Sequence, residues 1–161
     1  HIALRRLSNP DASLWYTPFQ GVNLSLSSQG TLVIDAPAVC AEPLVTNDIA
    51  EFDGNGRFRI LGRTDNTINT GGVKVQAEDV QRLLTDALPQ HLAGTFAITS
   101  KPDSLLGGRV VLVVSEEAYT HSKPLFKAAI STLPKYWQPK EVITVTSLPL
   151  TPNGKIDRCK L

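Results

Sequence analysis

The sequence predicts a β-rich, barrel-like segment over residues 1–63, followed by a small α+β domain over 64–161. Two observations carry this reading. Up to residue 63, short β-prone runs follow one another between turn residues, with no helical periodicity among them. Beyond it, apolar residues recur at helical spacing in two stretches set among buried-looking strands. The period changes at Gly62-Arg63-Thr64-Asp65.

The elements follow in order. Runs at 14–16, 22–26 and 31–34 are bounded by Asn, Pro, Gly and Ser, which read as turns. Residues 49–52 lead into Asp53-Gly54-Asn55-Gly56 and out through 57–61, so a Gly-rich turn joins two strands in a hairpin. Strict alternation puts Phe58 and Ile60 on one face, with Arg57, Arg59 and Leu61 on the other. Residues 67–75 are β-like but interrupted by Gly71-Gly72. A helix is predicted over 77–88, because Val80, Leu83, Leu84, Ala87 and Leu88 form one apolar face. Glu78 and Asp79 suit the positive end of its dipole, and Pro89 ends it. Strands are predicted at 95–99 and 110–114 around a turn-rich loop, and a second helix at 124–133 carries Leu125, Phe126, Ala129, Ile130 and Leu133 on one face. A last strand at 142–145 precedes the tight turn Pro152-Asn153-Gly154.

The totals narrow the function classes. Of 161 residues, 42% are hydrophobic and 19% charged, which excludes a disordered chain. A net charge of +1 argues against a general nucleic-acid or membrane-surface binder. No run approaches the roughly 20 apolar residues of a membrane span, and no signal-peptide pattern appears. Cys40 and Cys159 have no metal or redox spacing, and two unpaired thiols fit a reducing, cytoplasmic compartment. His1, His91 and His121 are not spaced as ligands, so no dedicated metal site is predicted. The chain lacks methionine and opens at His1-Ile2-Ala3-Leu4, within what reads as a strand, so a fragment is expected.

Four local features invite chemistry, and each has a plain structural alternative. Asp48, after Thr46-Asn47, is a charged acceptor that could grip a vicinal diol such as a ribose, or it is a turn residue. Gly62-Arg63-Thr64-Asp65 could be a linker with a surface ion pair. Gly71-Gly72 permits close backbone approach or positive φ, or marks a β-bulge; its setting does not match a phosphate-binding loop. In Pro149-Leu150-Thr151-Pro152-Asn153-Gly154-Lys155, prolines and Asn-Gly hold a lysine at the tip of a stiff turn, where it loses little further entropy on meeting an anion. The alternative is an exposed, solvated lysine. From residue 135 onward, Lys135, Lys140, Lys155, Arg158 and Lys160 make a basic tail, either a solvated surface or an attraction for phosphates.

In this order, Asp48, Gly62-Arg63-Thr64-Asp65, Gly71-Gly72 and Pro152-Asn153-Gly154-Lys155 resemble the motifs of the adenylate-forming acyl-CoA synthetase superfamily. The resemblance runs over nearly the whole chain. The opening His1-Ile2-Ala3-Leu4-Arg5-Arg6-Leu7 is most similar to o-succinylbenzoate–CoA ligases of menaquinone biosynthesis.

The resemblance implies an AMP-forming ligase that joins a small carboxylic acid to ATP and then passes the acyl group to CoA. It implies that Asp48 and Arg63 bind the ATP or AMP ribose, that Lys155 is catalytic in adenylation, and that Asp65 is a hinge. It further implies that Gly71 and Gly72 line the pantetheine tunnel for CoA. Mg²⁺ would accompany ATP, with ligands mostly outside this chain. Residues 1–63 would be the distal β-subdomain of a large AMP-binding domain, and 64–161 a mobile carboxyl-terminal domain partnered by a missing upstream domain. The phosphate loop and the acid pocket are absent, so this stretch alone should be inactive. Asn47, Ala77 and Asp79 depart mildly from the family pattern. Two other readings stay open: a peptide-synthetase-like adenylation domain that loads a carrier protein, and a non-catalytic interaction module.

Overall fold

A computed structural model describes residues 1–8 and 13–161, except for the Cys159 side chain, so the reading of Cys159 as a free thiol lies outside the description. Cys40 is a free cysteine. The chain divides into two compact units, His1–Asp65 and Asn66–Leu161.

In the first unit, β1 (Ala3–Leu4) pairs antiparallel with β2 (Thr17–Pro18). A meander follows: β3 (Asn23–Leu26), β4 (Thr31–Asp35), β5 (Leu44–Phe52) and β6 (Phe58–Arg63), each strand antiparallel to its neighbour. The β-rich segment is present, but among the described residues its sheet stays open with β3 and β6 at its ends, so no closed barrel forms. The pieces available to close it are too short. β1 and β2 have two residues each and pair with one another. Their neighbour Tyr16 joins β6 at a single bridge to Phe58.

Leu32, Ala50 and Phe58 form a small buried centre, with Ala3, Tyr16, Leu24, Ile34 and Phe52 packed around it. Tyr16 stacks on Phe58 with ring centroids 5.4 Å apart. That cover does not extend along the face to Ile60, which is 40% exposed against 3% for Phe58. The β5–β6 turn is fixed by Asp53. Its carboxylate accepts the N–H groups of Asn55 and Arg57 at 2.9 Å each, and these bonds help to hold its pKa below the ordinary value.

The second unit opens with the hairpin β7 (Thr67–Thr70) and β8 (Val73–Gln76), then α1 (Ala77–Ala87). Strands β9 (Phe96–Asp103) and β10 (Gly107–Ser115) pair antiparallel from Gly107↔Asp103 to Val114↔Phe96. Helix α2 (Glu116–Ser131) crosses back, so that β11 (Glu141–Val145) lies parallel to β10. On the same edge of β10 as β11, Gly107 pairs with Thr70 of β7.

The core of this unit joins Val80 and Leu84 of α1, Phe126 and Ala129 of α2, and Phe96, Ile98, Val110, Leu112 and Val114 of the central strands. Phe96 meets Phe126 edge-on at 5.6 Å. Burying each such side chain contributes about 1.5–3 kcal/mol. The second helix begins earlier than the apolar spacing indicates. Ser115 caps it by accepting the Ala118 N–H at 3.4 Å, and the helix turns non-helical at Ser122, two residues before Pro124. Proline lacks an N–H and pushes its predecessors out of helical geometry, so the apolar face visible in the sequence is the segment after the kink.

Candidate functional site

Strand register makes the first cluster. Asp48 on β5 stands directly opposite Arg63 on β6, and Arg63 Nη1 donates to Asp48 Oδ1 at 3.1 Å. The same guanidinium grips Asp65 with two bonds, Nε to Oδ1 at 3.1 Å and Nη2 to Oδ2 at 3.0 Å. Asp65, the last residue of the first unit, lies in a short 3-10 turn, Thr64–Asn66. The hydrogen bond from Arg63 holds the Asp65 carboxyl below its ordinary value of 3.8, and that bond also raises the arginine. All three side chains are partly exposed, between 35% and 51%, so the pairing orients them more than it stabilises the fold.

Thr46 supports the strand before Asp48. Its hydroxyl donates to the Leu32 carbonyl at 2.9 Å and accepts the Asp48 N–H at 3.1 Å. Asn47 receives the Thr64 hydroxyl on its carbonyl at 3.4 Å and bonds Asp65 through its side chain. In the sequence Asp48 and the Arg63 segment read as separate motifs, and Thr46 has no role of its own. The hydroxyl two residues before an aspartate was its only signal. Asp48 Oδ1 is engaged by Arg63, whereas Oδ2 has no hydrogen bond among the described residues. The carboxylate therefore keeps acceptor capacity for a diol.

In the second unit, Gly71 and Gly72 are the two loop residues of the β7–β8 hairpin, and Thr70 pairs with Val73 across them. Both have positive φ, +59° and +80°. Two-residue hairpin loops of this kind require positive φ at both positions, so turn geometry alone explains both glycines and the β-bulge alternative falls away. Gly71 is held from the side, its N–H donating to the Leu106 carbonyl at 2.9 Å. Leu106 is itself set by Asp103, whose carboxylate accepts the N–H groups of Leu105 and Leu106 at 3.0 Å each. A Cβ on Gly71 would stand 3.3 Å from Leu106 Cδ2, whereas one on Gly72 would meet nothing within 4 Å.

Lys155 sits in a closed turn. Leu150 bridges Ile156, the Thr151 N–H donates to the Lys155 carbonyl at 2.7 Å, and the Lys155 N–H returns to the Thr151 hydroxyl at 3.2 Å. Gly154 supplies the positive φ of +74°. The Lys155 side chain is exposed and makes no ion pair among the described residues. Its basic neighbours differ: Lys160 pairs with Asp157 at 3.2 Å, and Arg158 is turned onto the body of the unit. The basic tail is thus partly neutralised, and Lys155 remains as a presented cation. Among the described residues, no hydrogen bond or ion pair joins Lys155 to the Gly71–Gly72 turn.

Among the described residues no group of three or more His, Cys, Asp or Glu side chains comes together. A cavity of about 600 Å³ lies at β1 and β2, lined by Arg5, Trp15, Thr17 and Arg57 among others, and none of the predicted site residues lines it. Among the described residues no helix is long and apolar enough to cross a membrane.

No family model matches the chain. Curated relatives do. A salicylyl-CoA synthase/salicylate adenylyltransferase of a Streptomyces species is 35% identical over 121 residues, covering 72% of this chain and 21% of the relative. A dimodular nonribosomal peptide synthase of Bacillus subtilis is 30% identical over 114 residues, covering 70% of this chain and 5% of the relative. Among solved structures, an acyl-CoA synthetase (AMP-forming)/AMP-acid ligase II-like protein from Dyadobacter fermentans matches 99% of this chain and 46% of its own, at 30% identity and TM-score 0.52. The o-succinylbenzoate CoA synthetase of Bacillus subtilis, in complex with an acyl-adenylate intermediate, matches 89% of this chain and 34% of its own, at 16% identity and TM-score 0.68. At that identity it speaks for the fold alone. The chain spans less than a quarter of these curated relatives.

Proposed function

We propose that this chain, which belongs to the carboxyl-terminal part of the adenylate-forming superfamily of acyl-CoA synthetases and peptide-synthetase adenylation domains, completes an ATP-dependent acid–thiol ligase. The observation that carries the reading is that one chain holds both a presented cation in its second unit and an acceptor cluster in its first. Lys155 is held by its backbone and has no counter-ion among the described residues, while Asp48 is oriented by Arg63 and keeps an oxygen to offer.

In the first step the acid's carboxylate oxygen attacks the α-phosphorus of ATP, the bond to the bridging oxygen breaks, and pyrophosphate leaves with that electron pair. Negative charge builds up at phosphorus, and the Lys155 ammonium offsets it. Losing one such preorganised group typically costs on the order of 100- to 1000-fold in rate. Asp48 and Arg63 take the ribose hydroxyls, with charge-assisted bonds about twice as strong as neutral ones. In the second step a thiol attacks the acyl carbonyl, AMP leaves, and the thiol proton is released. The two units turn relative to each other about Asp65, so that Lys155 serves the first step and the Gly71–Gly72 turn the second. Mg²⁺ would travel with the nucleotide phosphates and shield their charge.

The acceptor thiol is proposed to be CoA and the acid o-succinylbenzoate, in the cytoplasm. The choice of acid rests on residues 1–7. The peptide-synthase relative favours a second reading in which the acyl group goes to a carrier protein. Pyrophosphate release by the full-length protein, measured with o-succinylbenzoate, salicylate and amino acids, tests the acid. The same protein given free CoA or a carrier protein tests the acceptor. Release with o-succinylbenzoate and thioester formation on CoA support the first reading. Amino-acid-dependent release with transfer only to carrier protein replaces it with the second.

A further inference from the structure

Among the described side chains of residues 149–161, none forms or packs against the buried core of the second unit. The backbone bonds of the turn that carries Lys155 run from Thr151 to Lys155, Gly154 to Thr151 and Asp157 to Pro149, so they close the turn without fixing where it sits. Arg158 supplies that anchor. Its Nε donates to the Ile98 carbonyl on β9 at 3.3 Å, and its Nη2 donates to Gln81 Oε1 on α1 at 2.5 Å. Its Nη1 lies 3.9 Å from Glu78 Oε1. A planar guanidinium engaged by acceptors on two elements fixes direction as well as distance, which an ammonium could not do.

Glu78 reaches further. The same Oε1 accepts the side-chain amide of Asn66, the first residue of the second unit, and Oε2 is buried with no partner among the described residues. A carboxylate so placed needs a compensating cation, and among the described residues Arg158 supplies one, 3.9 Å away. The start of the unit, the first turn of α1 and the base of the lysine turn therefore meet at one carboxylate.

We propose that Arg158 is a positioning residue which, with Glu78 and Gln81, seats the Lys155 turn on α1 and β9 and links that seat to Asn66. The inference rests on the adenylation role proposed for Lys155. Without Arg158 the lysine keeps its chemistry but samples a wider range of positions. The step that needs it slows, while ATP binding and thiol transfer do not.

The test uses the full-length protein with Arg158→Ala, Arg158→Lys and Lys155→Ala, following the two half-reactions separately. Arg158→Ala should lower the kcat of adenylate formation about 10- to 100-fold, the range for losing charge-assisted hydrogen bonds. The KM for ATP should stay within about threefold, and thioester formation from pre-made adenylate should stay near wild type. Amide exchange at Gly154, Lys155 and Asp157 should quicken, with β9 and β10 unchanged. Arg158→Lys should recover part of the rate, and it carries the test if the alanine variant does not fold. Normal adenylation in Arg158→Ala beside a dead Lys155→Ala overturns the positioning role alone. Equal loss in both half-reactions, or lost protection in β9 and β10, also overturns it, because that is what general destabilisation would give. Undiminished adenylation in Lys155→Ala removes the reading beneath it.

Discussion

Substitution at Gly72 separates two reasons for a glycine. The turn demands positive φ there, +80°, while an added Cβ would meet nothing within 4 Å. The cost of Gly72→Ala is therefore conformational, about 1–2 kcal/mol for an L-residue in the left-handed region. For a domain of 60–100 residues that is roughly 4–8 °C in Tm per kcal/mol. Asparagine visits this region readily, so Gly72→Asn should lose clearly less. Gly71→Ala, at φ +59° and with Leu106 Cδ2 only 3.3 Å from the new Cβ, should lose the most. Thermal unfolding of the three variants in the full-length protein gives the order. The half-reactions then isolate function. Gly72→Asn keeps the turn but places a side chain in the open space beside it. If a thiol must pass there, thioester formation should fall at least about tenfold, a barrier of some 1.4 kcal/mol, while adenylate formation stays near wild type. Equal destabilisation by Asn and Ala at position 72 would refute the conformational reasoning. Unchanged thioester formation in a folded Gly72→Asn protein would take the turn out of the thiol's path.

Two further outcomes are expected in the first unit. Asp48→Ala should weaken ATP binding about 10- to 100-fold, as losing a charge-assisted hydrogen bond does, and unchanged affinity by calorimetry would remove Asp48 from the ribose. The Asp65 carboxyl should titrate below 3.8 by NMR and return towards that value in Arg63→Ala. Because its folded pKa is lowered, the pair's contribution is present above pH 3.8 and is lost as pH falls below it. For an exposed pair that contribution is about 0–1 kcal/mol.

Much of this was legible because it is local. The apolar spacing at Val80, Leu83 and Leu84 gave α1, and the runs around Ile98 and Leu112 gave the two central strands. Asn153-Gly154 gave the lysine turn, where Gly154 takes positive φ. What escaped depends on pairing between distant residues. Nothing near Asp48 indicates that Arg63 stands opposite it, since register is set by the whole β5–β6 hairpin and shifts at a bulge between Ile49 and Ala50. The open sheet was invisible for the same reason: closure depends on which strands reach an edge, and β1 and β2 are too short. Arg158 read as one charge in a basic tail because Ile98, Gln81 and Glu78 are remote in sequence. The start of α2 was missed because Pro124 marks a kink inside the helix, and Ser115-Glu116-Glu117 was the stronger start signal.

The central claim is that Lys155 serves adenylation and not thiol transfer. The direct measurement is Lys155→Ala in the full-length protein, assayed for pyrophosphate release from acid and ATP and, separately, for thioester formation from pre-made acyl-adenylate. Adenylate formation should fall on the order of 100- to 1000-fold, with thioester formation largely spared. Equal loss of both half-reactions, or retention of both, would contradict it.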